Sequence, residues 1–271
     1  MDCCMNGVYQ PFLFLCLLAF AIFPLQAGEV PLCSGENRLL ALVDRPSEAL
    51  SACIVPARSL LIESGYTYQQ TTPNGFSHNV PQMEWRFGLG HHTEIDILPP
   101  AYNWQSTPRQ VGYGVVTVGA KRIAYYDDHQ LVTLQAAISP PSGGNNFGGR
   151  KNGCMVNGIY NYSFDSGFGI AAQVGFASFV TQPVDGNQRY LSMNPLILAG
   201  WPLQDKMNMY VEAYAQSRTA PNQGWGVNAD AGLVFLVAKN MTVDVVYNQR
   251  LHGALNSLER SFGGGLVIGF F

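Results

Sequence analysis

Charge is scarce in this chain: Asp, Glu, Lys and Arg make up 12% of its 271 residues, against roughly 25% in a typical soluble domain. A surface so poor in charge is expected to meet something other than water over much of its area. There is no basic run, and the formal net charge is -3, which excludes the electrostatic footprint that nucleic acid requires. Past the first 27 residues there is no long apolar run, which excludes spanning helices. No Cys/His spacing matches a zinc site. No His-x-Ser pair offers a base and a nucleophile on one strand face. The Gly263-Gly264-Gly265 run lacks the strand, loop and helix context that phosphate cradling needs. No cofactor is implied.

What is present begins with an apolar core at 12–23, too short to span a bilayer and the size of a signal-peptide core. Ala27 before Gly28 is a suitable cleavage site, although no Lys or Arg precedes the core as a usual signal peptide would have. The expected organisation is a signal peptide over 1–27, a periplasmic N-terminal segment over 28–57 and a barrel over 58–271. The 28–57 segment contains Pro31, Pro46 and Pro56 and no sustained alternation, and reads as short helix or coil able to tuck into the barrel mouth. Cys3, Cys4 and Cys16 would leave with the signal peptide. In an oxidising periplasm Cys33 and Cys53 could close a loop ahead of the barrel; spacing leaves the pairing open. Cys154 shares the apolar parity of Val156, Gly158 and Tyr160 and is expected to face lipid.

From Leu60 onward apolar and polar residues alternate. Between Trp225 and Val237 one parity holds Trp225, Val227, Ala229, Ala231, Leu233, Phe235 and Val237, while the other begins Gly226, Asn228, Asp230 and Gly232. Period two is a strand, and an oily face on strands of this length suits a wall between lipid and a polar interior. The fold class is therefore all-β: a transmembrane up-and-down antiparallel β-barrel of about twelve strands in the bacterial outer membrane. The expected spans are 58–71, 78–89, 93–98, 111–126, 130–139, 152–164, 168–180, 188–201, 207–217, 224–237, 241–250 and 258–271. Connections after even-numbered strands are terse and those after odd-numbered ones mostly long, as periplasmic turns and external loops should be. Each short turn has an odd number of residues, so Leu89 should face Thr93, Tyr126 Gln130, Phe164 Phe168, Trp201 Met207 and Val237 Met241. Gly167 and Asn240 stand where left-handed backbone is needed. Pro195 should produce a bulge or gap, and the facing of the last strand is undetermined.

With the apolar parity outward, the lumen receives Glu63, Glu84, Arg86, Glu94, Asp96, Glu212, Asp230 and Asp244. Burying so many ionisable groups dry costs several kcal/mol each unless they are paired, so the interior should be wet or laced with ion pairs. Acids outnumber bases, which mildly favours cations or neutral solutes. Counting from the Gly90-His91-His92 turn places Arg86 opposite Asp96 and diagonal to Glu94, and an ion pair to one of them is expected. These charges either brace the barrel or select solute at a constriction.

The same residues carry a resemblance. Glu63-Ser64-Gly65-Tyr66-Thr67-Tyr68, then Trp85-Arg86-Phe87-Gly88-Leu89, then Glu94-Ile95-Asp96-Ile97 resemble the opening strands of outer-membrane transporter-like proteins associated with the meta-pathway of phenol degradation. That resemblance implies a barrel passing small hydrophobic or aromatic compounds. Its expected partners are outer-membrane lipid, a small-molecule solute and the barrel-assembly machinery. The alternative is a structural or surface-interaction protein with a closed lumen, in which the long 140–151 loop does the work.

Overall fold

Lipid supplies no hydrogen bonds, so a strand-built wall must leave no backbone group unpaired and no sheet edge open. The computed structural model describes residues 30–71 and 74–271 and has that form; the expected signal peptide lies outside the described residues. Its strands are β1 (Leu60–Thr71), β2 (Gly75–Gly90), β3 (Thr93–Leu98), β4 (Tyr102–Gln105), β5 (Gln110–Tyr113), β6 (Thr117–Tyr126), β7 (Gln130–Ser139), β8 (Gly153–Ser163), β9 (Gly169–Val180), β10 (Arg189–Gln204), β11 (Met207–Gln216), β12 (Gly226–Ala238), β13 (Met241–His252) and β14 (Leu258–Phe270). β1, β2, β3 and β6 to β14 make a closed antiparallel barrel of twelve strands. β14 returns to β1, with Leu60 opposite Phe270 and Gly65 opposite Gly265.

The facing follows the period-two reading. Asp230 and Asp244 are buried, whereas Trp225 is 56% and Val245 51% exposed on the outside. On β14, Phe262, Leu266 and Phe270 point out and Ser261 and Val267 point in, which fixes the strand whose sequence was ambiguous. Rings mark both rims: Tyr162, Phe164, Phe168 and Trp201 touch in series at the short-turn end, and Tyr68, Phe76, His78 and Trp104 cluster at the other. Such belts sit where bilayer meets water.

Two expectations need correction, and a third, the gap at Pro195, is met on one side of its strand. The strand expected over 111–126 is broken at 114–116. Pro99 and Pro100 end β3 early and leave the outer half of β2 without a neighbour, so the β4–β5 hairpin covers it, Val80 pairing with Tyr102 and Tyr102 with Tyr113. Four of the five short turns differ in register from the simple count. Gly90 pairs with Thr93, Tyr126 with Leu131, Trp201 with Met209 and Ala238 with Met241. A β-bulge in each absorbs the extra residue, which preserves the facing that the odd count implied. The first hairpin is thus a two-residue turn with His91 and His92 both left-handed, φ 51° and 53°. Gly167 is left-handed as expected, and Phe164 faces Phe168; Asn240 is not left-handed, because the bulge takes its place. Pro195, finally, sits in an unbroken register with Val174 on β9. The gap it causes lies on the other side, where pairing with β11 starts only at Leu196.

Residues 30–57 lie inside the barrel. A short helix α1 (Leu39–Leu42) and the coil after it fill the lumen, closed into a loop by a Cys33–Cys53 disulfide. Leu39, Leu42 and Val55 pack on inward Leu61, Ile123, Leu131, Ile159, Leu236 and Val267. Fully burying an aliphatic side chain contributes about 1.5–3 kcal/mol, so this plug is seated by a small hydrophobic core as well as by polar contacts.

Candidate functional site

A coil inside a barrel presents backbone N–H groups that no ladder satisfies, and each needs an acceptor. The wall's carboxylates are those acceptors. Glu63 takes the N–H of Asp44 (3.1 Å) and of Arg45 (2.9 Å). Glu94 takes that of Val55 (2.5 Å). Glu212 takes those of Glu48 (2.6 Å) and Ala49 (3.1 Å), and Gln173 that of Leu50 (3.1 Å).

Arg86 is the hub on one side. Fully buried, it donates to Glu94 at 3.0 and 2.8 Å, to Glu63 at 3.2 Å, and to the backbone carbonyls of Cys53 (3.1 Å) and Leu42. It stands opposite Asp96 as counted, but its partner is Glu94; Asp96 instead accepts from Gln135 at 3.3 Å. Lys121 joins the network, 2.5 Å from Asp44 and 3.3 Å from Glu94. Arg45 crosses to Asp244 (3.3 Å) and Gln82 (3.1 Å).

Glycines in the wall are cut to fit this coil. A Cβ at Gly65 or at Gly265 would run into the Arg45 guanidinium, and one at Gly88 into the carbonyls of Val55 and Pro56. We expect Gly88→Val to displace the end of the plug. Hydrogen exchange at Val55 should rise while barrel amides stay protected, and unchanged exchange at Val55 would refute the seat.

The structure places the eight candidates on the inner wall at three separate points. Glu63, Arg86, Glu94 and Asp96 form the buried cluster, with Glu84 beside it: Glu84 pairs with Glu63 across β1 and β2 and, with Asp44 and Glu63, brings three carboxylate oxygens within 4.8 Å. Glu212 and Asp230 face each other across β11 and β12 on another part of the wall. Asp244 stands apart with Arg45. The sequence reading missed Lys121, whose parity with Gly119 and Ile123 was its one signal, and Asp44, Arg45 and Glu48, which belong to the segment set apart from the barrel.

Glu48 is exposed, but only to the cavity inside the barrel. Enclosure by the wall and repulsion from Glu212 push its carboxyl up to about 7. Two cavities flank the plug: an outer one of about 550 Å³ and an inner one of about 460 Å³. Arg45, Pro46, Ser47 and Leu50 line both, so this strap separates them. Glu63 and Glu84 border the outer cavity, whereas Arg86, Glu94 and Asp96 border neither.

Residues 43–258 match the family model described as "Putative MetA-pathway of phenol degradation". The chain belongs to this family. No curated protein matches it. Among solved structures, the NanC porin is similar with a TM-score of 0.53 at 10% identity, covering 78% of this chain and 100% of the porin. The KdgM porin gives 0.51 at 12%, covering 78% and 99%, and KdgM in complex with disordered oligogalacturonate gives 0.50 at 11%, covering 78% and 99%. At these identities the likeness is one of fold. With the closed barrel, it places this family member in the bacterial outer membrane, in contact with lipid, with a porin-like channel architecture.

Proposed function

We propose that the chain is a non-catalytic outer-membrane channel for small molecules, hydrophobic or aromatic compounds among them, in which the N-terminal plug sets the narrowest point. The observation that carries this reading is the pair of cavities meeting at the Arg45–Leu50 strap, each within the roughly 300–1,000 Å³ of small-molecule sites. The Arg86 cluster braces the plug. The constriction lies across the lumen, where three N–H bonds to Glu212 and Gln173 hold the strap to the wall.

The filled lumen also favours a second reading, a closed structural barrel. Flux into liposomes carrying the natural protein separates the two. Phenol-sized solutes should enter faster than into protein-free liposomes while a large oligosaccharide does not; entry at the protein-free rate for all of them would leave the structural reading standing.

A further inference from the structure

The two ends of the barrel differ in sign. The short inner turns carry Asp127, Asp128, Asp165 and Asp205 against Lys206 and Lys239. The long outer connections carry Arg109, Arg150, Lys151 and Arg218 against Asp185, and Arg189 opens β10 at the same end. Three of these cations sit together. The backbone N–H of Arg150 donates to Asn187 Oδ1 (3.3 Å), and the Arg189 guanidinium donates to the carbonyl of Asn152 (2.7 Å), so the loops before β8 and β10 are stitched side by side. Arg150 and Lys151 are exposed, and among the described residues neither is in an ion pair. The Arg150 guanidinium donates to the Asn145 amide oxygen (2.5 Å) and the Gly143 carbonyl (3.5 Å), neutral acceptors that leave its charge uncompensated.

The patch adjoins the lipid-facing wall. Ser178 pairs with Leu191, which is 67% exposed on the outside, and directly opposed residues share a face. Arg189, two residues before Leu191, shares that face and donates to Ser178 Oγ at 2.5 Å. Below it the wall is apolar: Leu191, Met193, Phe176 and Ile138 all stand exposed on this side of the barrel.

We propose that Arg150, Lys151 and Arg189 bind the phosphate groups of the acylated, phosphorylated glucosamine lipid that forms the outer leaflet of such membranes, with its acyl chains laid along Leu191, Met193 and Phe176. Cations directly above an oily wall match a ligand whose anionic head is joined to hydrocarbon. Arginine supplies a planar fork that suits phosphate, and lysine a mobile point charge. A free anion would use the charges but not the wall beneath them. The site rests on the outer-membrane placement of the barrel and stands whether or not the lumen conducts.

Native mass spectrometry of the full-length protein in neutral maltoside micelles tests this with three probes: a diphosphorylated, hexa-acylated glucosamine disaccharide, its phosphate-free counterpart, and inorganic phosphate. The phosphorylated lipid should bind about tenfold more tightly than its counterpart, the scale of one charge-assisted hydrogen bond, and added salt should weaken that preference. Arg150→Gln combined with Lys151→Gln should lower the preference by about tenfold. Lys151→Gln alone, at an exposed loop position, should lower it in part, and Lys206→Gln at the inner end should leave it unchanged. Equal affinity for the two lipids, inorganic phosphate bound as tightly as the lipid, an undiminished preference in the loop variants, or an equal loss in Lys206→Gln would overturn the proposal.

Discussion

Arg86→Met should cost about 3–5 kcal/mol of stability, the usual penalty for removing one partner of a buried ion cluster. The substitution roughly conserves volume, so the loss is electrostatic. Without the guanidinium, Glu63 and the Cys53 carbonyl lose their side-chain donor, and Asp44 and Glu94 keep Lys121 as their one cation within ion-pair distance among the described residues. Arg86→Lys should recover little, since a single ammonium cannot span two carboxylates and two carbonyls that a planar fork reaches together. Urea unfolding in micelles measures the loss, and hydrogen exchange locates it: the amides of 44–55 should exchange first. A Met variant as stable as the natural protein would mean that the cluster is held by contacts other than Arg86.

Removal of residues 30–57 should turn a nearly closed barrel into a wide pore, raising single-channel conductance by about an order of magnitude, because twelve strands enclose more space than side chains alone fill. The cost is exposure of what the plug covers. Glu63, Glu94 and Glu212 would lose their N–H donors and gain water, and Leu61, Leu131, Ile159 and Leu236 would line an aqueous channel. The truncated barrel should therefore be cation-selective and less stable. Planar-bilayer recordings give both conductance and reversal potential. A truncated barrel conducting no more than the natural one would show that something other than this segment closes the lumen.

The barrel was readable because its physics is local: each strand must oil one face and wet the other, and parity alone put Asp230 and Asp244 inside and Val245 and Trp225 outside. The pairing of Arg86 with the acids of β3 followed from counting across a single turn. What parity could not convey is what the inward face meets. Leu61, Ile123 and Val267 look like irregularities in a polar lumen until residues 30–57 are placed against them, and nothing in the alternation of a barrel reports a separate coil packed within it. Lys121 was hidden for a related reason. The segment before it breaks at Gly114, so a frame carried through 111–126 as one strand was a poor guide. The inward facing of the carboxylates was legible, but Glu63, Glu94 and Glu212 take backbone N–H groups of the plug, and such partners leave no mark in a sequence.

The notch that receives Arg45 is made by Gly65 on the first strand and Gly265 on the last. Half of this cradle does not exist until the final strand has zipped onto the first. The leading segment of the polypeptide therefore cannot settle before the cylinder is sealed, and biogenesis must end with two distant parts of the chain locking at one seam. Slow or faulty closure would leave a leaky intermediate in the envelope with its stopper still hanging free.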